Sequence, residues 1–473
     1  MIGGLRLQGK KQASLLSWTI HRPFPSANVY IPLNQHEGLP AIPCVEVGDR
    51  VLIGQKIAEP QGSFSVAMHA SVSGKVTGIE NHSHPVLGET EAIKIHTDGT
   101  DEKCPEIGHE RHGWHDLSAE ALYEIFREAG LVDFGKKTVP LHIKAAKPLG
   151  VKIKAVIING CESDPYVTSD YALMMSHGLE ILKGAEILRE LLDADELVFT
   201  LDETQREVAE LLKSKIYFLK WPHAEVRMLS SLYPQDADVS LAHDIFGVER
   251  TLLLSDKETG LRIFNVATAF SVYEAVALQK PLYERVVTVG GECVVEPRNI
   301  WAKIGSSFEE AIKSCRGLMR EPSRVLMNGP MTGFAQETLS VPVIKGAAAV
   351  LALPKEVLSF DEIQPCIRCN RCVDACPSEI SPVMITLAAE QDLFDTAQKW
   401  GAAFCMECGN CAYVCPSKRP MMELIQHARI HLQSQSARKY FSFEESFPIR
   451  PKAWRKGTQE NKNLAEIKVN APK

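Results

Sequence analysis

Eight of the thirteen cysteines fall between Cys366 and Pro416, in two blocks, CIRCNRCVDACP and CMECGNCAYVCP, with twenty-seven residues between them. Each block reads CxxCxxCxxxCP. Three thiolates on one tight loop can wrap a face of an iron–sulfur cube, because two-residue spacers let the backbone curl around it. The cube needs a fourth thiolate. In two-cluster ferredoxins that ligand comes from the other block. Cys366, Cys369, Cys372 and Cys415 are therefore expected around one [4Fe–4S] cluster, and Cys405, Cys408, Cys411 and Cys376 around a second. Pro377 and Pro416 lack an N–H and are expected in the first turn of a helix, turning the chain away from each cluster. Structural zinc would use four ligands per site and leave the further cysteines and the prolines without a role. Disulfides require an oxidising compartment, and the polar start MIGGLRLQGKKQ does not resemble a secretory signal. The expected chemistry is the passage of single electrons.

The rest of the chain must position those two loops. At 473 residues it exceeds a single core and suggests three or four domains. Hydrophobic residues at 45% and charged residues at 23% describe a soluble globular protein, and a net charge of −7 argues against a nucleic-acid partner. The longest apolar stretch, Gly346 to Pro354, is far shorter than the roughly 18 residues of a spanning helix.

After an N-terminal segment (1–27), strand-like runs at Val29–Leu33 and from Val45, echoed at His69–Glu80, suggest a barrel sandwich over 28–100. Gly48, Asp49, Gly54 and Gln55 form one turn region, and Ser73-Gly74 is read as a hairpin turn. No lysine stands between its halves (Glu59–Met68), so the module is expected to be scaffold rather than a cofactor carrier. The stretch His96–His115 reads as a solvated linker, since Pro105, Gly108 and Gly113 interrupt any helix that would align His109, His112 and His115. From 115 to 280 the pattern alternates. A helix opened by Ser118 and closed at Gly130 precedes strand Val151–Ile158, a helix at Asp170–Leu192, strand Glu196–Leu201, a helix at Gln205–Ser214 and strand Glu225–Leu229. This is a Rossmann-like α/β domain, with Asn159 to Tyr166 at the carboxyl end of its first strand, where ligands bind in open sheets. Residues 284–345 read as a β-grasp module: strand Arg285–Val289, strand Val294–Ala302, a helix opened by Ser307, and an exposed turn at Asn328–Gly333. The two-cluster ferredoxin domain spans 358–432 and closes with a helix at Pro420–Gln433. A polar tail (433–473) carries Arg450, Lys452, Arg455 and Lys456 near Trp454. Cys44, Cys104, Cys161, Cys293 and Cys315 are expected as buried structural thiols.

This order of multidomain α/β parts resembles the C subunit of the Rnf ion-translocating electron-transport complex over nearly the whole chain. The resemblance rests on VYIPLNQ (29–35), VGDRVLIGQ (47–55), HASVSG (69–74), INGCESDPY (158–166), RVVTVGGECVVEPRNIWAKIG (285–305) and both cysteine blocks. It implies a Rossmann-like domain related to the flavin-binding subunit of respiratory NADH dehydrogenase and a β-grasp module of the SLBB type. It also implies a peripheral place on the cytoplasmic face of the membrane, and partners among the other Rnf subunits, especially the ferredoxin-like B subunit and the membrane-embedded ones. The related soluble reductases, cobalamin reductase and the electron-transfer protein linked to proline reductase, share this domain order.

In that family FMN is held by a loop of the form GLGGAGFPTxVK, which here reads DFGKKTVPLHIK (133–144). Gly135 and Lys144 match and three of the four glycines are replaced. Glycines let backbone N–H groups close on a phosphate, and side chains obstruct that approach. A second family loop, YPSGGAK, reads YPQDADV (233–239), with two carboxylates added. Glu162 and Asp164 stand where relatives place a group beside the nicotinamide. Two expectations follow: a dehydrogenase subunit passing hydride from NADH to FMN and on through the clusters, or a flavin-less relay that draws electrons from another donor such as a ferredoxin.

Overall fold

The computed structural model describes residues 4–11, 14, 19–23, 26–135, 137–247, 259–358 and 362–440, with side chains as far as 432. The polar tail with Arg450, Lys452, Trp454, Arg455 and Lys456, and Lys136 of the glycine-poor loop, lie outside the described residues.

Alternation of apolar and polar residues builds the first unit. A four-stranded sheet, ordered Asn28–Pro32, Gly88–Thr97, Gly74–His84 and Arg50–Val51, faces a three-stranded sheet of Ile42–Pro43, Lys56–Glu59 and Met68–His69. Val29, Ile31, Ile57, Val76, Ile93 and Ile95 fill the space between. Ser73-Gly74 is not a hairpin turn. Gly74 opens an eleven-residue strand, and the hairpin closes at 85–87. A Cβ on Gly74 would stand 2.0 Å from the His96 carbonyl oxygen, so the glycine serves a close strand approach rather than a reversal.

The second unit is a parallel sheet in the order Ala224–Leu229, Glu196–Asp202, Ala155–Asn159 and Leu261–Asn265. The order reverses between the last two strands, so their carboxyl ends diverge into a crevice. Helices Ser169–Leu192 and Val266–Ala277 pack closely on one face. A Cβ on Gly184 would lie 1.8 Å from the Ala269 carbonyl oxygen. The first strand begins at Ala155 rather than Val151, because 151–154 reaches the sheet through isolated backbone bonds such as Lys154 N to Gly260 O. The helix expected to end at Ser214 continues to Leu219 and closes with Lys220 in a left-handed conformation.

A five-stranded sheet follows, ordered Arg298–Lys303, Glu284–Gly290, Ala349–Leu353, Arg324–Met327 and Phe334–Gln336. Its second strand starts at Arg298, not Val294, which instead makes a single bridge to Leu318. Helix Phe308–Ser314 is opened by a capping box between Ser307 and Glu310.

The last unit packs short helices Arg371–Asp374, Pro382–Ala389, Phe394–Lys399 and Asn410–Tyr413 against the long helix Met421–Tyr440, around Ile385, Ala397, Met421 and Ile425. Pro377 and Pro416 do not begin helices. They lie in turns after the one-turn helices that carry Cys372 and Cys411, and the next helices start only at Pro382 and Met421. Of the five outlying thiols, Cys161, Cys293 and Cys315 are buried, Cys104 is half-buried and Cys44 is exposed.

Candidate cluster sites and the crevice beside them

The loops 366–372 and 405–411 each wrap a cavity, and each cavity borrows a cysteine from the other block. One is lined by Cys366, Cys369, Cys372 and Cys415, the other, narrower one by Cys376, Cys405, Cys408 and Cys411. The one-turn helices set this exchange, because each carries the chain from the third cysteine of its own loop to a fourth that faces the opposite cavity. Burial pushes the Cys411 thiol up, and Cys405, Cys408 and Cys376 add to the shift as neighbouring charges. Burial likewise raises Cys372, with Cys415 beside it, and Cys376, with Cys405 beside it. Four thiols crowded in this way lose their protons only when a positive centre compensates them, as bound iron does. Among the described residues no three His, Cys, Asp or Glu side chains draw together around a single ion. The thiols ring cavities instead, as a four-iron cube with one thiolate per iron requires. Arg368 N and Glu407 N point at the sulfurs of Cys366 and Cys405, at 3.4 and 3.3 Å.

The two cavities face different ways. Around the first, Cys369, Ile363, Ile367, Arg368 and Arg371 are exposed. The second lies against the body of the protein. Tyr233 Oη donates to the Cys408 carbonyl at 2.7 Å, and Asn410 Nδ2 donates to the carbonyls of Tyr233 and Ala375. Gly409 packs on the Met331 carbonyl so closely that a Cβ would lie 2.7 Å from it. The turn Asn328–Gly333, read from sequence as an exposed loop, is thus the joint between the β-grasp sheet and the cluster domain. Neither Tyr233 nor this turn was legible as such, because their partners lie far away in sequence.

In the crevice of the parallel sheet the four expected residues have separate tasks. Gly135 and Lys144 come together on Asp133, whose carboxylate accepts from Lys144 Nζ at 2.6 Å and Gly135 N at 3.2 Å. Glu162 caps helix Ser169–Leu192, accepting from Ser169 Oγ, Asp170 N and Tyr171 N. Burial raises its pKa to about 7, against the pull of Lys11 and with the charge of Asp170 adding to the rise. Asp164 holds the joint turn by accepting from Met331 N and Thr332 Oγ1, and burial, aided by Asp236, raises its pKa to about 6. The N-terminal segment also enters here. Leu5 bridges to Tyr233, Gly9 O accepts from Tyr166 N, and Lys11 Nζ donates to the Glu162 carbonyl. Asp236, in the altered second loop, is half-buried with its backbone N–H on Ser163 Oγ.

Together these features define an iron–sulfur electron-transfer protein built on a nucleotide-binding type of α/β domain. Residues 1–100 match the RnfC barrel sandwich hybrid domain, 126–274 the Nuo51 FMN-binding domain, 286–335 the SLBB domain and 359–416 the 4Fe-4S dicluster domain. The chain is 35% identical to the C subunit of the proton-translocating ferredoxin:NAD(+) oxidoreductase complex of Clostridium ljungdahlii, covering 80% of this chain and 81% of the relative. It is 33% identical to the C subunit of the Na(+)-translocating ferredoxin:NAD(+) oxidoreductase complex of Acetobacterium woodii, covering 86% and 91%. A third relative, the C subunit of the ion-translocating oxidoreductase complex of Pseudomonas aeruginosa, is 34% identical over 82% of this chain and half of its own length. The chain belongs to the family of C subunits of Rnf-type ion-translocating oxidoreductase complexes.

The residues present fit iron–sulfur clusters, since two cavities are each ringed by four thiols. They do not fit FMN. The donors that would receive its phosphate at the glycine-poor loop are already engaged by Asp133, and Asp236 adds a carboxylate to the same crevice.

Proposed function

We propose that this protein is the electron-relay subunit of an Rnf-type ion-translocating complex, and that it receives electrons from a protein donor such as a soluble ferredoxin rather than from NADH through a bound flavin. The observation that carries the reading is the crossed grouping of eight thiols into two adjoining cavities, one opening outward and one seated on the body of the chain. Cys366, Cys369, Cys372 and Cys415 would hold one [4Fe–4S] cluster, and Cys376, Cys405, Cys408 and Cys411 the other. Bound there, such clusters accept and release one electron at a time. The protein's own part is positional. Backbone N–H groups of Arg368 and Glu407 aim at cysteine sulfur, which favours the more negative, reduced charge state. Tyr233 and Asn410 lock the second loop to the Rossmann-like domain, and Arg429 braces it through the Cys405 carbonyl at 2.7 Å.

The outward cavity, rimmed by Ile363, Ile367, Arg368 and Arg371, is the side suited to the ferredoxin-like B subunit. Among the described residues no helix is long and apolar enough to cross a membrane, so attachment to the cytoplasmic face would run through the membrane-embedded subunits. Anaerobically reconstituted protein mixed with reduced ferredoxin, and separately with NADH, tests the donor. Bleaching of the thiolate-to-iron absorption by ferredoxin alone is expected, and equally fast bleaching by NADH with FMN present overturns it.

A further inference from the structure

The Asp133 side chain is 1% exposed and all its acceptor capacity is used. Oδ2 takes the Lys144 ammonium at 2.6 Å and Gly135 N at 3.2 Å, and Oδ1 takes Thr268 Oγ1 at 2.8 Å and Asn265 N at 3.4 Å. Asn265 and Thr268 open helix Val266–Ala277, of which Asn265 is the N-cap. An ammonium, a hydroxyl and two backbone N–H groups, one of them at the N-cap of a twelve-residue helix, are the set that binds a phosphate dianion. Here the anion belongs to the chain itself. The fit is close, since a Cβ on Gly135 would lie 2.8 Å from Asp133 Oδ2. Burial works against the charge on Lys144, yet the carboxylates of Asp133 and Asp238 outweigh it and raise its pKa, so the ammonium has an anion whether or not a ligand arrives.

We propose that Asp133 is an intramolecular stand-in for a phosphate monoester: it occupies the phosphate cradle formed by Lys144, Gly135, Thr268 and the Asn265 N-terminus, and so lets this domain fold complete without a nucleotide. This goes beyond the relay reading, which needs only the clusters. It assigns the loss of nucleotide binding chiefly to one side chain and makes that loss reversible.

The test uses full-length, cluster-loaded protein under anaerobic conditions, with inorganic phosphate, FMN and riboflavin as probes and chloride at matched ionic strength as control. Wild type is expected to show no saturable change in melting temperature with any of them. Asp133→Gly empties the cradle and leaves the half-buried Lys144 ammonium without its ion-pair partner. It is expected to be destabilised, and then stabilised by phosphate and by FMN but not by riboflavin, with phosphate bound at least about tenfold more tightly than by wild type. Should the glycine variant not fold, Asp133→Ala, which also vacates the cradle while keeping an ordinary backbone, is expected to show the same selective rescue. Adding Lys144→Met should abolish the rescue in either background. Stoichiometric phosphate or FMN binding by wild type overturns the proposal. So does a folded Asp133 variant that phosphate stabilises no more than chloride, or rescue that persists without Lys144. Iron content, followed in parallel, reports on the relay and leaves the two claims separable.

Discussion

A cysteine becomes a cluster ligand through its neighbours, and the consequential ones here are the fourth in each block. Cys376 lies beside Cys405, and Cys415 beside Cys372. Replacing Cys376 with Ala is expected to remove the cluster of the second loop and leave about four irons, while Cys415→Ala removes that of the first loop. Spectroscopy that finds the losses the other way round would refute crossed ligation. The spacing of the cysteines made this grouping readable in the sequence, because thiolate geometry around a cube is local within each loop. Asp133 was not readable in the same way. It could be seen replacing a glycine, but its role depends on Lys144 eleven positions later and Thr268 135 positions later. No periodicity or motif encodes that contact.

At the scale of elements, the acidic residues of the crevice are structural before they are anything else. Glu162 caps a twenty-four-residue helix by accepting from three of its donors. Glu162→Ala should cost about 1–2 kcal/mol in urea unfolding, and the cluster spectra should be unchanged. A Glu162→Ala protein of full stability but altered electron-transfer rate would instead assign this residue to the chemistry. Ser307→Ala, which breaks the capping box, is expected to cost about 1 kcal/mol by the same measurement. The strands and helices of the α/β domain as far as Leu229 were legible because apolar periodicity and capping residues lie within a few positions, whereas helix Asp238–Phe246, strand Leu261–Asn265 and helix Val266–Ala277 were not read. The hairpin and the Cys-Pro turns were misread for a common reason. Ser73-Gly74 and the two prolines have the right composition for reversal or helix initiation, but a neighbouring strand in one case and the sulfur-bearing loops in the other fix the backbone first.

Across the whole molecule, one buried lysine ties three units together. Lys345 Nζ donates to the carbonyls of Ala67 in the barrel sandwich and Gly130 after the first helix of the α/β domain, and its backbone N–H donates to Gln35 Oε1. Burial drives its pKa down to about 7. His69 and His36 nearby are lowered to about 3 and about 4, first by burial and then by the Lys345 charge. A lysine or histidine lowered on folding binds fewer protons in the native state than in the unfolded one, so the junction gains stability as pH rises. Glu162 and Asp164, raised on folding, act in the opposite direction below about 7 and about 6, and the buried thiols of Cys161 and Cys315, also raised, do so as pH nears the ordinary cysteine value, so the effect is cleanest between about pH 7 and 8. Unfolding free energies from urea titrations should climb there by up to about 1.4 kcal/mol per pH unit. Lys345→Met should flatten the climb and strand two carbonyl oxygens. An unchanged slope would remove Lys345 from this role. Such a junction could not be foreseen from sequence, since its lysine sits in the loop before strand Ala349–Leu353 and its acceptors are backbone atoms of other modules.

Two iron–sulfur cubes held by exchanged cysteines are best examined by metal analysis of oxygen-free protein, combined with electron paramagnetic resonance after chemical reduction. About eight irons per chain and the signals of two reduced [4Fe–4S] clusters are expected. Zinc in place of iron, a single cluster, or no bound metal would contradict it.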